Sequence, residues 1–136
     1  MADPLNKGLQ VGWQAYVDTN MVGSGKISQG AILGQEGAIW AASPGLSISA
    51  GEQASIRKAF EDTEGTLALG LKIGGQKYFT LQANGRSIYL KKQSDGAIVV
   101  KTTQAILIGL YVAPIQAPEA TSIVENLADY LISAGY

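Results

Sequence analysis

Apolar positions change period along the chain, and each change marks an element. Residues 97–102 and 105–112 are aliphatic, β-branched runs parted only by Thr103 and Gln104. Neither run alternates. Ile98-Val99-Val100 and Ile106-Leu107-Ile108 place apolar groups on both faces of a pleated strand. This predicts a central hairpin covered on both sides. From Glu119 to Tyr136 the spacing turns helical, with Ala120, Ile123, Val124, Leu127, Ala128, Leu131 and Ala134 on one stripe. Pro118 suits the first helical turn, Glu119 the positive end of the helix dipole, and Gly135 a left-handed stop. Such a helix needs a partner, and the hairpin before it is the nearest apolar surface.

Upstream, residues 1–12 lack periodicity and contain Pro4, Gly8 and Gly12, which predicts a flexible lead-in. Trp13, Tyr16 and Val17 then fall at i, i+3 and i+4, predicting a helix over 13–21 that ends at Gly23 and Gly25. Residues 26–34 and 38–42 read as short strands around a Glu36-Gly37 turn. Ser49 with Glu52 forms a capping-box pattern ahead of a helix to about Phe60 that buries Ile56 and Phe60. Residues 67–73 and 76–83 read as strands joined at Gly74-Gly75. Asn84-Gly85 predicts a type I′ hairpin turn, with positive φ at both residues. Residues 87–92 pair back, and Ser94-Asp95-Gly96 turns into the central hairpin. Consecutive hairpins mean an antiparallel meander. The expected fold is α+β, a central antiparallel sheet sandwiched by helices, with the N- and C-terminal helices packed together on one face. Residues 13–136 are expected to form one domain, after an extension or leader over 1–12.

Composition narrows the chemistry. A chain of 136 residues, 46% hydrophobic, can bury one substantial core, and no apolar run approaches the ~18 residues of a membrane span. The start carries Asp3 and Pro4 before any basic residue, which is not a signal-peptide pattern. There is no cysteine, hence no disulfide scaffold and no thiolate chemistry. Histidine is absent too, which removes the commonest general base together with the commonest metal ligand. Gly23-Ser24-Gly25-Lys26 lacks phosphate-loop spacing, and Gly70, Gly74 and Gly75 read as turn glycines. Glu61, Asp62 and Glu64 sit in a polar loop with no apolar pocket, read as a solvated turn. No cofactor, metal or nucleic-acid site emerges.

Charge is segregated. Residues 1–64 hold four bases and seven acids. Residues 65–118 hold six bases (Lys72, Lys77, Arg86, Lys91, Lys92, Lys101) against Asp95 alone, and residues 119–136 hold three acids and no base. A basic middle on strands suits an acidic partner, although an ordinary solvated face reads the same way. The aromatics are also distributed unevenly. Trp13 and Tyr16 fall on the first helix, Trp40 on an early strand, and Tyr130 and Tyr136 at the C-terminal end. If the terminal helices lie side by side, these five residues form either core packing or a shelf for polyproline II segments.

The motifs that carry a resemblance are Trp-Gln-Ala-Tyr-Val-Asp (13–18), Ile-Trp-Ala-Ala-Ser (39–43), Gly-Gln-Lys-Tyr (75–78), Gly-Arg-Ser-Ile-Tyr (85–89) and Glu-Asn-Leu-Ala-Asp-Tyr-Leu (125–131). Together they resemble the profilin family, in order from Trp13 to Tyr136, and the fungal branch looks nearest. The resemblance implies a cytoplasmic, non-enzymatic protein of the actin cytoskeleton, a monomer without cofactors. Its implied partners are monomeric actin, proline-rich assembly factors of the formin kind, and acidic phosphoinositides at a membrane surface. By position, the proline site would be Trp13, Tyr16, Trp40, Tyr130 and Tyr136. The actin face would be Lys77, Arg86, Lys91 and Lys101 with Thr121, Ser122 and Glu125. Phosphoinositides would take Arg86, Lys91 and Lys92. The alternative reading is a phosphoinositide and proline-ligand signalling module with weak actin binding.

Overall fold

A computed structural model describes residues 9–136. The lead-in expected over residues 1–12 falls partly outside that range. Within it, the chain is already helical at Leu9. Helix α1 (Leu9–Ala15) runs straight through Gly12, then widens into a π-helical turn (Tyr16–Met21) and tightens to a 3₁₀ turn (Val22–Ser24). A helical interior glycine costs only ~1 kcal/mol relative to alanine, so Gly12 alone does not stop a helix. Gly25, at φ 79°, does.

Seven strands follow: β1 (Gln29–Gly34), β2 (Ile39–Ala42), β3 (Leu71–Ile73), β4 (Gln76–Ala83), β5 (Ser87–Lys92), β6 (Asp95–Lys101) and β7 (Ala105–Tyr111). They form one antiparallel sheet in the order β2-β1-β7-β6-β5-β4-β3. β6 and β7 lie near its middle. Every residue of β7 is buried, as the unbroken apolar runs require.

Each face of the sheet has its own core. On one face, α1, the π-helical turn and α4 (Ala117–Ser133) cover Ile32, Ile98, Val100 and Leu107. The two terminal helices therefore share a face. On the other, α2 (Ala50–Ala59) and the residues around it cover Leu33, Ile88, Leu90, Val99, Ile106 and Ile108. Glycine seats the terminal helices. Gly30 and Gly109 are paired across β1 and β7. A Cβ on Gly109 would lie 2.6 Å from Val124, and one on Gly30 would lie 3.2 Å from the Met21 sulfur. Two bare backbone positions let helices approach the sheet where side chains would hold them off.

Several local expectations are corrected. Residues 67–69 are not strand but the end of α3 (Thr63–Leu69). Asp62, read as part of a solvated turn, caps that helix by accepting from Gly65 N–H at 3.0 Å. The Asn84-Gly85 turn has positive φ at neither residue. Instead the Asn84 side-chain oxygen accepts from the backbone N–H groups of Arg86 and Ser87, each at 2.8 Å, an Asx-type closure. The next turn sits at Gln93-Ser94, with Gln93 at φ 56°, because Asp95 already belongs to β6. At α2, Ser49 caps as expected, accepting from Glu52 N–H at 3.1 Å. The Glu52 carboxylate reaches elsewhere and accepts from Gly74 and Gly75 N–H, both at 2.9 Å, fixing the β3–β4 turn.

Candidate functional site

The five aromatics meet at the seam between the terminal helices. Trp13 is the hub: its ring centre lies 4.7 Å from Trp40, 5.6 Å from Tyr16 and 5.7 Å from Tyr136. Tyr130 joins through Tyr16 at 6.2 Å. Most pairs meet edge-on or tilted, as ring quadrupoles favour. Their exposure is graded. Trp13 and Tyr16 are 2% and 5% exposed, Trp40 and Tyr136 are half-buried, and Tyr130 is 47% exposed. The cluster is therefore rooted in the core and opens outward at its rim, so core packing and shelf are two ends of one structure.

Local contacts hold each ring. The Gln14 amide donates to the Ala42 carbonyl at 2.9 Å and accepts from Ala42 N–H at 3.4 Å, tying α1 to β2 beside Trp13 and Trp40. Trp40 lies over Gly34, where a Cβ would fall 2.6 Å from its indole nitrogen. The Tyr136 carbonyl accepts from Gln104 N–H at 2.5 Å and from the Thr102 hydroxyl at 2.7 Å, so the β6–β7 turn anchors that end. Burial, then hydrogen bonding to Tyr130 and its charge, push the Tyr16 phenol up to about 12. It stays a neutral hydroxyl at any physiological pH. Beyond the Tyr16–Tyr130 pair the seam continues as a groove of about 440 Å³, lined by Tyr16, Asn20, Ile123, Asn126, Leu127 and Tyr130.

The expected basic surface is divided by the structure. Strand parity puts Lys91 on the α4 side with Tyr89, and Lys92 on the α2 side with Leu90. Lys92 donates to the Gln76 side chain. Lys101 also faces the α2 side, its ammonium 5.4 Å from the centre of the Phe60 ring. It lies away from Thr121, Ser122 and Glu125 on α4. Arg86 is already partnered: it donates to Glu125 at 2.9 Å and to Asp129 at 2.8 Å. Glu125 accepts in addition from Ser87 at 2.7 Å and Tyr89 at 2.5 Å. Burial, then that bond to Glu125, raises the Tyr89 phenol above its usual range. Lys77 and Lys91 remain exposed on β4 and β5. One continuous basic face is thus corrected to a smaller one, because alternate strand residues point to opposite faces.

A family model for profilin matches residues 11–136. The chain belongs to the profilin family. It is 47% identical to Profilin-2 of Acanthamoeba castellanii and 44% identical to the profilin of Saccharomyces cerevisiae. Each match covers 91% of this chain and 98% of the relative. Among solved structures, the cubic crystal form of A. castellanii profilin II superposes with a TM-score of 0.88 at 47% identity, covering 91% of this chain and 99% of that one. Mouse profilin IIa, in complex with a double repeat from the FH1 domain of mDia1, superposes at 0.77 with 26% identity, covering 92% and 99%.

This profilin also carries exposed apolar groups that the sequence reading passed over. Phe79 and Leu81 on β4 are 68% and 59% exposed. Phe79 pairs with Lys91, and Gln82 with Tyr89, so this patch adjoins Lys77, Lys91 and the α4 network. A signal was present. Tyr78 and Phe79 are consecutive in a strand, so when Tyr78 is buried Phe79 must face the other way.

Proposed function

We propose that this profilin binds proline-rich segments on Trp13, Tyr16, Trp40, Tyr130 and Tyr136, and monomeric actin on the face bearing Lys77, Lys91, Thr121 and Ser122. In this reading it acts in the cytoplasm as a monomer that brings actin to proline-bearing assembly factors. The observation that carries the proposal is the assembly of five aromatics, from both ends of the chain and an early strand, into one connected cluster with an open rim. A polyproline II ligand is stiff, loses little entropy on docking, and presents carbonyls without N–H groups of its own. Tyrosine hydroxyls on an apolar shelf meet that need. The mouse profilin IIa complex with an FH1 repeat supports the same use of the fold.

Actin binding follows from family membership, and the β4–β5 patch suits it. Exposed Phe79 and Leu81 offer apolar area, and Lys77 and Lys91 offer steering charge toward an acidic partner. Arg86 and Glu125 frame this surface from within. Acidic phosphoinositides would compete there, through Lys91 first, with Lys92 on the opposite face and Arg86 held by two carboxylates. Lipid binding would then collapse with added salt, while proline binding would barely respond.

The test is tryptophan fluorescence during titration with a proline decamer. Tyr130→Ala is the clean variant, since its ring is the exposed member. It should weaken binding by about tenfold or more, as hot-spot aromatics do, with the unfolding temperature nearly unchanged. Trp13→Ala should lose stability as well, because Trp13 is buried at the hub. A wild-type protein that shows neither spectral change nor binding would overturn the proposal.

A further inference from the structure

The groove beyond the Tyr16–Tyr130 pair is built from residues outside the five aromatics: Asn20 on the π-helical turn, and Ile123, Asn126 and Leu127 on α4. Among the described residues its walls carry no charged side chain, so a charged guest would lose hydration there without gaining a partner. Leu127, 6% exposed, and half-buried Ile123 form an apolar floor. Asn20 and Asn126 are exposed, and neither side-chain amide is hydrogen-bonded among the described residues. Each therefore has N–H donors to offer. A proline-rich backbone needs donors and nothing else, since its own N–H groups are missing.

Length fits as well. Ile123 to Tyr130 spans about 10 Å of helix at ~1.5 Å per residue. A polyproline II chain advances ~3.1 Å per residue, so the groove adds room for about three ligand residues. Its volume of about 440 Å³ suits a short stretch of chain.

We propose that this groove is a flanking subsite of the proline site. It takes about three further uncharged residues of an extended proline-rich ligand. Asn20 and Asn126 donate to backbone carbonyls there, and Ile123 and Leu127 pack against the rings or aliphatic side chains. The proposal rests on reading the aromatic cluster as a proline site, and it adds a length and charge preference that the cluster alone does not impose.

Two proline peptides separate the two layers of this reading by calorimetric titration. A hexamer, ~19 Å long, spans the aromatics. A nonamer has the three extra residues, and all-proline peptides make the direction of binding irrelevant to the design. The nonamer should bind the wild-type protein at least about tenfold tighter than the hexamer, the scale of two added hydrogen bonds. In Asn20→Ala/Asn126→Ala that advantage should shrink to about fourfold, the statistical remainder of the four registers a nonamer has on a six-residue polyproline II site, with hexamer affinity unchanged. Both positions are exposed and unbonded, so thermal unfolding should show the variant folded as the wild type. A nonamer ending in glutamates at both ends should lose the advantage on the wild type. An equal advantage in wild type and variant overturns the subsite alone. Failure of both peptides to bind the wild type overturns the proline site and the subsite with it.

Discussion

One added methyl group at Gly34 would challenge the seat of Trp40. The new Cβ would lie 2.6 Å from the indole nitrogen and 2.8 Å from the adjoining ring carbon. Gly34 is not in the left-handed region, so alanine meets no backbone objection there. The half-buried indole is the part that must give. Gly34→Ala should therefore shift tryptophan emission and weaken proline binding severalfold, while far-ultraviolet circular dichroism stays that of the wild type. Identical emission and affinity would show that the seat is unimportant. The five aromatics were legible in the sequence because large rings at motif spacing announce themselves. Gly34 and Gln14 were not. A glycine at a strand end resembles a turn residue, and the partner of Gln14 lies 28 residues away on β2.

At the scale of elements, α4 is joined to the sheet by chemistry as well as packing. Glu125 gathers Arg86, Ser87 and Tyr89 of the β5 region onto one carboxylate that is 21% exposed. Glu125→Gln keeps the volume and the helix but removes the charge and mismatches donors with donors. Losing such a charge-assisted set should cost about 1–3 kcal/mol, read as a lower urea midpoint with an unchanged slope. Equal midpoints would mean that α4 is held by its apolar stripe alone. That stripe, with Pro118 and Gly135, made α4 readable in advance. The misreading of α3 has an equally local cause. Thr66, Leu67 and Leu69 look strand-like, yet the Thr66 hydroxyl bonds back to the Ala59 and Asp62 carbonyls at 3.2 and 2.9 Å. That bonding and the Asp62 cap outweigh propensity over seven residues.

Across the whole molecule, the two faces of the sheet divide the lysines, and actin association should follow that division. Lys91→Glu should slow association severalfold at low salt, because it reverses a steering charge beside the exposed Phe79. Lys101→Glu, on the opposite face over Phe60, should leave that rate unchanged. Equal rates for both variants and the wild type would remove the β4–β5 patch from the proposal. The sequence alone determined the alternation of helices and hairpins, the doubly covered central strands and the family, because period, caps and motifs are local properties of the chain. Only the tertiary structure decided which charges share a surface. Strand register sends neighbouring residues to opposite faces, and the irregular pairing between Thr80 and Gln82 resets that parity within β4. Only it decided, too, that Trp40 meets Trp13, that Arg86 is spent on Glu125 and Asp129, and that the seam continues past Tyr130 as a groove. Each of these depends on how closely the glycine-floored sheet lets the two terminal helices approach.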